Sequence, residues 1–199
     1  TKRAMKKDID YLISISGPEP QRSILEEKLA LHAHELPGNV VMTLGKAEKY
    51  SIIKKKQLTT YSFVTKDLRE ELLNKAKLVV SRSGYSTIMD VAVVGTKALF
   101  IPTPGQIEQE YLSQYHNSLG TFHSVSQDAI DLKADVKIAA GKPGIRGKPG
   151  HPTWRARWRR STGRARVKLP ARARRPPSRA AAPPVPPRRH RRATQPPRR

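Results

Sequence analysis

From Asp8 to Ala140 the chain repeats one pattern: a short β-branched run, then an amphipathic stretch with apolar residues at helical spacing. A chain patterned this way folds as βαβ units, which places its strands in a parallel sheet with helices on both faces. The expected class is therefore α/β, Rossmann-like. The runs at 10–16, 39–44, 58–64, 78–81 and 98–101 read as strands, with a last short one at 121–125. Between them, Gln21 to Leu36 reads as a helix stopped by Pro37-Gly38, and Thr65 as the cap of a helix through Leu68, Leu72 and Leu73. Ser86 to Val94 reads as a helix ended by Gly95, and Gln106 to Leu119 as one ended by Gly120. Helical turns over 128–140 are expected to close the domain.

At Ala140 the pattern stops. Residues 141–199 hold 17 Arg, 3 Lys and 12 Pro with no acidic residue, so +20 of the chain's formal charge of +23 lies there. The first 140 residues carry only +3. The expected organisation is thus a globular domain over 1–140 and a disordered Arg/Pro/Ala-rich basic tail over 141–199, too poor in apolar residues to offset chain entropy. Trp154 and Trp158 in the tail could stack on bases while its arginines grip phosphates, which makes a nucleic-acid binder one reading. Arg, Pro, Ala and Gly are also the residues of GC-rich codons, and an acid-free tail built from them resembles out-of-frame translation more closely.

The chain has no cysteine, so no disulfide, thiolate metal site or cysteine nucleophile is available. No His/Asp cluster has metal-ligand spacing, and neither metal nor cofactor is expected. No apolar run has the length a bilayer demands, and a cytoplasmic location is expected. The sequence opens on Thr1 with a basic lead-in to the first strand, as expected for a segment of something longer.

Two segments carry chemistry: Ser81-Arg-Ser-Gly-Tyr-Ser-Thr-Ile-Met-Asp90 and Pro102-Thr-Pro-Gly-Gln-Ile-Glu-Gln-Glu110. In the first, a strand gives way to a helix at Ser83-Gly84. Open backbone N–H groups and the positive dipole end at a helix start attract anions. Gly84 lets a phosphate approach closely, the hydroxyls of Ser83, Ser86 and Thr87 add donors, and Asp90 lies one turn deeper. Taken alone, Ser86 reads first as an ordinary N-cap and Asp90 as a solvated residue. In the second segment, two prolines hold a loop at a strand's carboxyl end, where open α/β sheets bind ligands. Glu108 and Gln109 then face sugar hydroxyls, or serve as plain first-turn helix residues.

Together, Ser83-Gly84-x-x-Thr87-x-x-Asp90, Gly95, Ala98-Leu-Phe-Ile-Pro102 and Glu108-Gln109-x-Tyr111 resemble the C-terminal domain of glycosyltransferase family 28, over about Asp8 to Leu132. That family includes the bacterial enzyme that makes peptidoglycan lipid II from UDP-N-acetylglucosamine. The same half-fold recurs in the catalytic subunit of the dolichol-linked N-acetylglucosamine transferase. The resemblance implies one half of a GT-B fold, the half that holds the UDP-sugar donor of an inverting hexosyltransferase. Carried over by position, Ser16, Gly17, Ser83, Gly84, Ser86 and Thr87 face the diphosphate, Asp90 holds the ribose, and Glu108 and Gln109 meet the donor sugar. Gly17-Pro-Glu-Pro20 departs from the family's glycine-rich turn, since two prolines remove donors, and Arg22 is expected to restore positive charge. The catalytic base is expected in an N-terminal acceptor domain or partner subunit, with peripheral membrane association through a lipid acceptor. His32, His34 and His116 read as exposed helix residues. A UDP-N-acetylglucosamine epimerase of GT-B shape shares the donor-binding half and is the alternative enzyme reading.

Overall fold

The computed structural model describes residues 1–46 and 50–145. In chain order the elements are β1 (Ile9–Ser14), α1 (Gln21–Ala33), β2 (Val40–Thr43), β3 (Ile52–Lys55), β4 (Leu58–Tyr61), α2 (Lys66–Lys75), β5 (Ala76–Ser81), α3 (Tyr85–Val94), β6 (Lys97–Phe100), α4 (Ile107–Ser118), β7 (His123–Ser124) and α5 (Leu132–Gly141). Their seven strands form one sheet in the order β3-β4-β2-β1-β5-β6-β7. Every pairing is parallel except the β3–β4 hairpin. The expected α/β fold is therefore present, with one hairpin that the sequence did not announce.

Alternation along the central strands supplies two cores. Ile13, Val80 and Leu99 pack with Leu25 and Leu29 of α1 and Leu132 and Val136 of α5. Their strand neighbours Leu12, Val79 and Phe100 turn the other way, onto Leu72 of α2, Ile88 and Val91 of α3 and Leu112 of α4. Successive side chains of a strand point to opposite faces, so one apolar run serves both layers.

Most helix signals act as expected. The Thr65 side chain accepts from the Leu68 N–H at 3.3 Å, and Gly95 closes α3 in the left-handed region at φ 74°. α1 ends earlier than Leu36, because the chain tightens there (Glu35 N–H to His32 O, 3.0 Å) and delivers Leu36 to the core. The helix after β5 starts at Tyr85, so Gly84, and not Ser86, takes the N-cap position. The missed strand, β3, runs Ile-Ile-Lys-Lys with all four residues exposed; it lies at the sheet edge, where neither face needs an apolar alternation. His116 is the clearest correction: it is buried, not exposed, and packs edge-on to Tyr115 and Phe122.

The domain continues past Ala140. α5 includes Gly141, the Gly144 N–H bonds to Thr121 O at 2.9 Å, and Ile145 packs against the second core. From residue 146 onward the expected tail, with Trp154 and Trp158, lies outside the described residues.

Candidate functional site

β1, β5 and β6 end in register, with Ser14 opposite Ser81 and Ser81 opposite Phe100. The turns that follow them, Ser16-Gly17, Arg82–Gly84 and Pro102–Gly105, therefore stand side by side at one carboxyl edge. A side chain built on Gly17 would lie 3.6 Å from Thr103 Oγ1 and 3.8 Å from Arg82 Nε. Chain order also reverses here, since β2 lies to one side of β1 and β5 to the other. Such switch points leave a crevice for ligands.

Arg82 organises the edge, a role that nothing in its sequence context marks out among the residues of its turn. Its side chain is only 2% exposed and, among the described residues, bonds to no carboxylate. The guanidinium donates to Gln21 O at 2.8 Å, Gln127 Oε1 at 2.6 Å and Pro102 O at 3.1 Å, with longer contacts to Ile101 O and Ser16 O. Burial pulls its pKa from 12.5 to about 10, which still leaves it charged at neutral pH. One planar cation with a fork of donors thus ties the loops after β1, β6 and β7 to the start of α1. Beside it, the Thr103 hydroxyl is buried and has no hydrogen-bond partner among the described residues.

The α3 start is open. Among the described residues no side chain caps it, and a Cβ on Gly84 would meet nothing within 4 Å. The first-turn N–H groups of a helix have no partner within it, so this end offers donors to an anion. Ser86 is exposed and Thr87 half-buried in that turn. Ser83 differs from expectation: it is fully buried, and its hydroxyl donates to Gln109 O at 2.9 Å. It fastens α4 to the α3 turn and has no hydroxyl to spare for a diphosphate.

The first turn is also less receptive than expected. Ser16 and Gly17 are exposed at the edge, but Glu19 already occupies the α1 start, accepting from the Ser23 N–H at 3.2 Å. Arg22 is not held for a ligand: it donates to Glu19 and, at 3.0 Å, to Gly45 O. Those bonds, Arg22 first, keep the Glu19 carboxyl below the usual range.

Asp90 sits one turn into α3 and pairs with Arg69 of α2 at 3.1 Å. Both line a cleft of about 20 Å³ with Ser14, Thr43 and Thr87, room for about one water. Glu108 and Gln109 do not form a paired set. Glu108 is exposed, while Gln109 accepts from the Thr103 N–H at 2.9 Å and donates to Gln106 Oε1. Its amide shapes the loop. Among the described residues no group of three or more His, Asp or Glu is placed to hold a metal.

Residues 21–130 match the glycosyltransferase family 28 C-terminal domain, more than half of the chain. The chain belongs to that family. Its relatives include a Buchnera aphidicola (subsp. Schizaphis graminum) protein called UDP-N-acetylglucosamine–N-acetylmuramyl-(pentapeptide) pyrophosphoryl-undecaprenol N-acetylglucosamine transferase, 30% identical over 124 residues. That match covers 60% of this chain and 33% of the relative, so the family 28 chain here spans about a third of the relative's length. A Mannheimia succiniciproducens protein of the same name is 38% identical over 64 residues, 32% of this chain and 18% of its own. Among solved structures, Acinetobacter baumannii MurG superposes with TM-score 0.54 at 15% identity, over 78% of this chain and 50% of that one. A calicheamicin glycosyltransferase gives TM-score 0.56 at 14% identity, over 81% and 40%. These likenesses place the family 28 domain in the fold of GT-B glycosyltransferases. No helix among its described residues is long and apolar enough to cross a membrane.

Proposed function

We propose that this domain holds the nucleoside diphosphate of a UDP-sugar for an inverting glycosyl transfer. The observation that carries the reading is the uncapped α3 start, open above Gly84, with Asp90 one turn deeper on the same helix. The diphosphate meets the first-turn N–H groups and the Ser86 and Thr87 hydroxyls. Exposed Ser16 and Gly17 and the Thr103 hydroxyl stand across the turn. Buried Arg82 adds a fixed positive charge beneath, worth more in a low-dielectric setting than in water. Asp90 exchanges Arg69 for the ribose hydroxyls. Glu108 and Gln109 approach the donor sugar only if the Pro102–Gly105 loop rearranges around Gln109.

In the reaction the acceptor hydroxyl attacks the anomeric carbon, the bond from that carbon to the diphosphate oxygen breaks, and UDP leaves with the charge the helix dipole and donors stabilise. A base from a second domain or subunit takes the acceptor proton. The relatives' name supports UDP-N-acetylglucosamine as donor and an undecaprenol-linked acceptor; an acceptor of that kind would draw the domain to a membrane surface as a peripheral protein.

Calorimetry with UDP tests the site. Asp90 and Arg69 are 44% and 48% exposed, so releasing their pair costs at most about 1 kcal/mol. Hydrogen bonds from ribose to a carboxylate contribute about 1.5–3 kcal/mol, leaving about 0.5–3 kcal/mol after that cost, so Asp90→Ala should weaken UDP by roughly two- to a hundredfold. Gly84→Ala sharpens the test: with φ −65° and open space the fold tolerates it, so any lost affinity belongs to the ligand. If both variants bind UDP as the wild type does, the site assignment fails.

A further inference from the structure

β3 ends the sheet on one side, and no described strand pairs with its outer edge. The hairpin fixes which of its backbone groups face outward. The Ser62 N–H donates to Ser51 O at 3.0 Å, so alternation along the antiparallel pair turns the ladder groups of Ile53 and Lys55 toward β4. Those of Ile52 and Lys54 point away from the sheet. The side chains around them are patterned too. Residues two apart on a strand share a face, so Ile52 and Lys54 lie on one face and Ile53 and Lys55 on the other. All four are exposed, the isoleucines by 45% and 52%. Each face thus presents one β-branched apolar side chain followed by one ammonium group. Lys56 adds a third cation at the turn, and residues 50–61 contain no Asp or Glu. Among the described residues none of these three lysines pairs with a carboxylate.

We infer that this margin takes an extended acidic segment of another protein as an eighth strand. Lysines alone blunt an edge, but beside open ladder groups and exposed isoleucines they select a partner of opposite charge. Backbone bonds to Ile52 and Lys54 attach the segment, and the side chains choose it. Antiparallel pairing is the more stable arrangement per residue. Laid that way, the segment brings two carboxylates beside Lys55 and Lys54, then two apolar side chains beside Ile53 and Ile52. The chain's own basic end cannot serve, because residues 141–199 hold no acid. An anionic bilayer would suit the lysines and isoleucines but leave the outward N–H and C=O groups without partners. β4, β2 and β1 separate this margin from β5 and the Gly84 turn, so the inference is independent of the donor reading.

The test is amide hydrogen exchange by NMR on the full chain, with an end-blocked peptide of core Glu-Glu-Val-Val as the probe. Its control carries the same side chains but is N-methylated at the second Glu and the second Val, the two residues that would bond Lys54 and Ile52. Both peptides meet the basic residues beyond 141 alike, so any difference between them belongs to the ladder. The probe should slow exchange at the Ile52 and Lys54 amides, and the control should not. Replacing both lysines, Lys54→Ala with Lys55→Ala, should weaken the probe roughly two- to thirtyfold while leaving the melting temperature unchanged, since both side chains are exposed. Equal effects of probe and control, or no protection at Ile52 and Lys54, would overturn the inference. So would vesicles of anionic phospholipid that perturb residues 50–56 where the probe does not, since the margin would then be a lipid surface.

Discussion

Replacing Arg82 is the strongest perturbation of the site that leaves every strand intact. Three of its hydrogen bonds, to Gln127, Gln21 and Pro102, are 2.6–3.1 Å long and sit in an interior where the side chain is 2% exposed. Arg82→Met strands those acceptors. Each buried acceptor left unpaired costs about 1–3 kcal/mol, so losing three amounts to several kcal/mol, a large share of the roughly 5–15 kcal/mol that holds a domain together. With a urea slope of roughly 1–3 kcal/mol per molar, the unfolding midpoint should fall by about 2 M. Arg82→Lys keeps the charge but not the fork, and should fall between Met and wild type. Urea unfolding measures the stability, and calorimetry at low urea measures UDP binding by the fraction still folded. In that folded fraction Met should bind UDP more weakly than Lys, because only Lys leaves a cation under the cleft. A Met variant with the wild-type midpoint would refute the hub, and equal UDP affinities for Lys and Met would refute its electrostatic part.

Two further outcomes follow from buried geometry. Burial lowers the His116 pKa from 6.5 to about 4, so the folded state refuses a proton that the unfolded state takes; stability is full above pH 6.5 and falls as pH drops toward 4, by about 3 kcal/mol. His116→Phe should flatten that stretch of a stability-against-pH curve, and an unchanged slope would contradict the assignment. Gly38→Ala should destabilise strongly, because φ is +87° and the new Cβ would collide with the Asp10 carboxylate that accepts from the Asn39 N–H. Thermal melts of this variant that match wild type would show that the turn relaxes freely.

The fold was legible because strand runs such as Leu78–Ser81 and Ala98–Ile101 are continuous and apolar, as strands buried on both faces must be. Gly95 and Thr65 marked helix ends for equally local reasons. What stayed hidden depends on distant partners. Arg82 reads as one more basic residue until the loops after β1, β6 and β7 close around it. Arg69 shows no link to Asp90 until α2 and α3 pack together. Ser83 and Gln109 were legible as positions but not as roles, because Ser83 bonds across to α4 at Gln109 O and Gln109 turns back onto the Thr103 N–H of the loop before its own helix. Burial of His116 is equally non-local, since Phe122 arrives from beyond the end of its helix.

The hairpin at residues 52–61 also settles how the sheet ends. A parallel sheet that stopped at a flat outer strand would offer open N–H and C=O groups to any passing copy. Here the outermost strand runs backwards, and Lys54 and Lys55 lead into Lys56 at the turn. A second copy adding itself edge to edge would have to bring those ammonium groups against their own kind. At the opposite margin β7 is only two residues long, too short to template a partner. Growth of the sheet is therefore opposed by like charge at one margin and by brevity at the other, so neither edge of this family 28 domain invites a second copy.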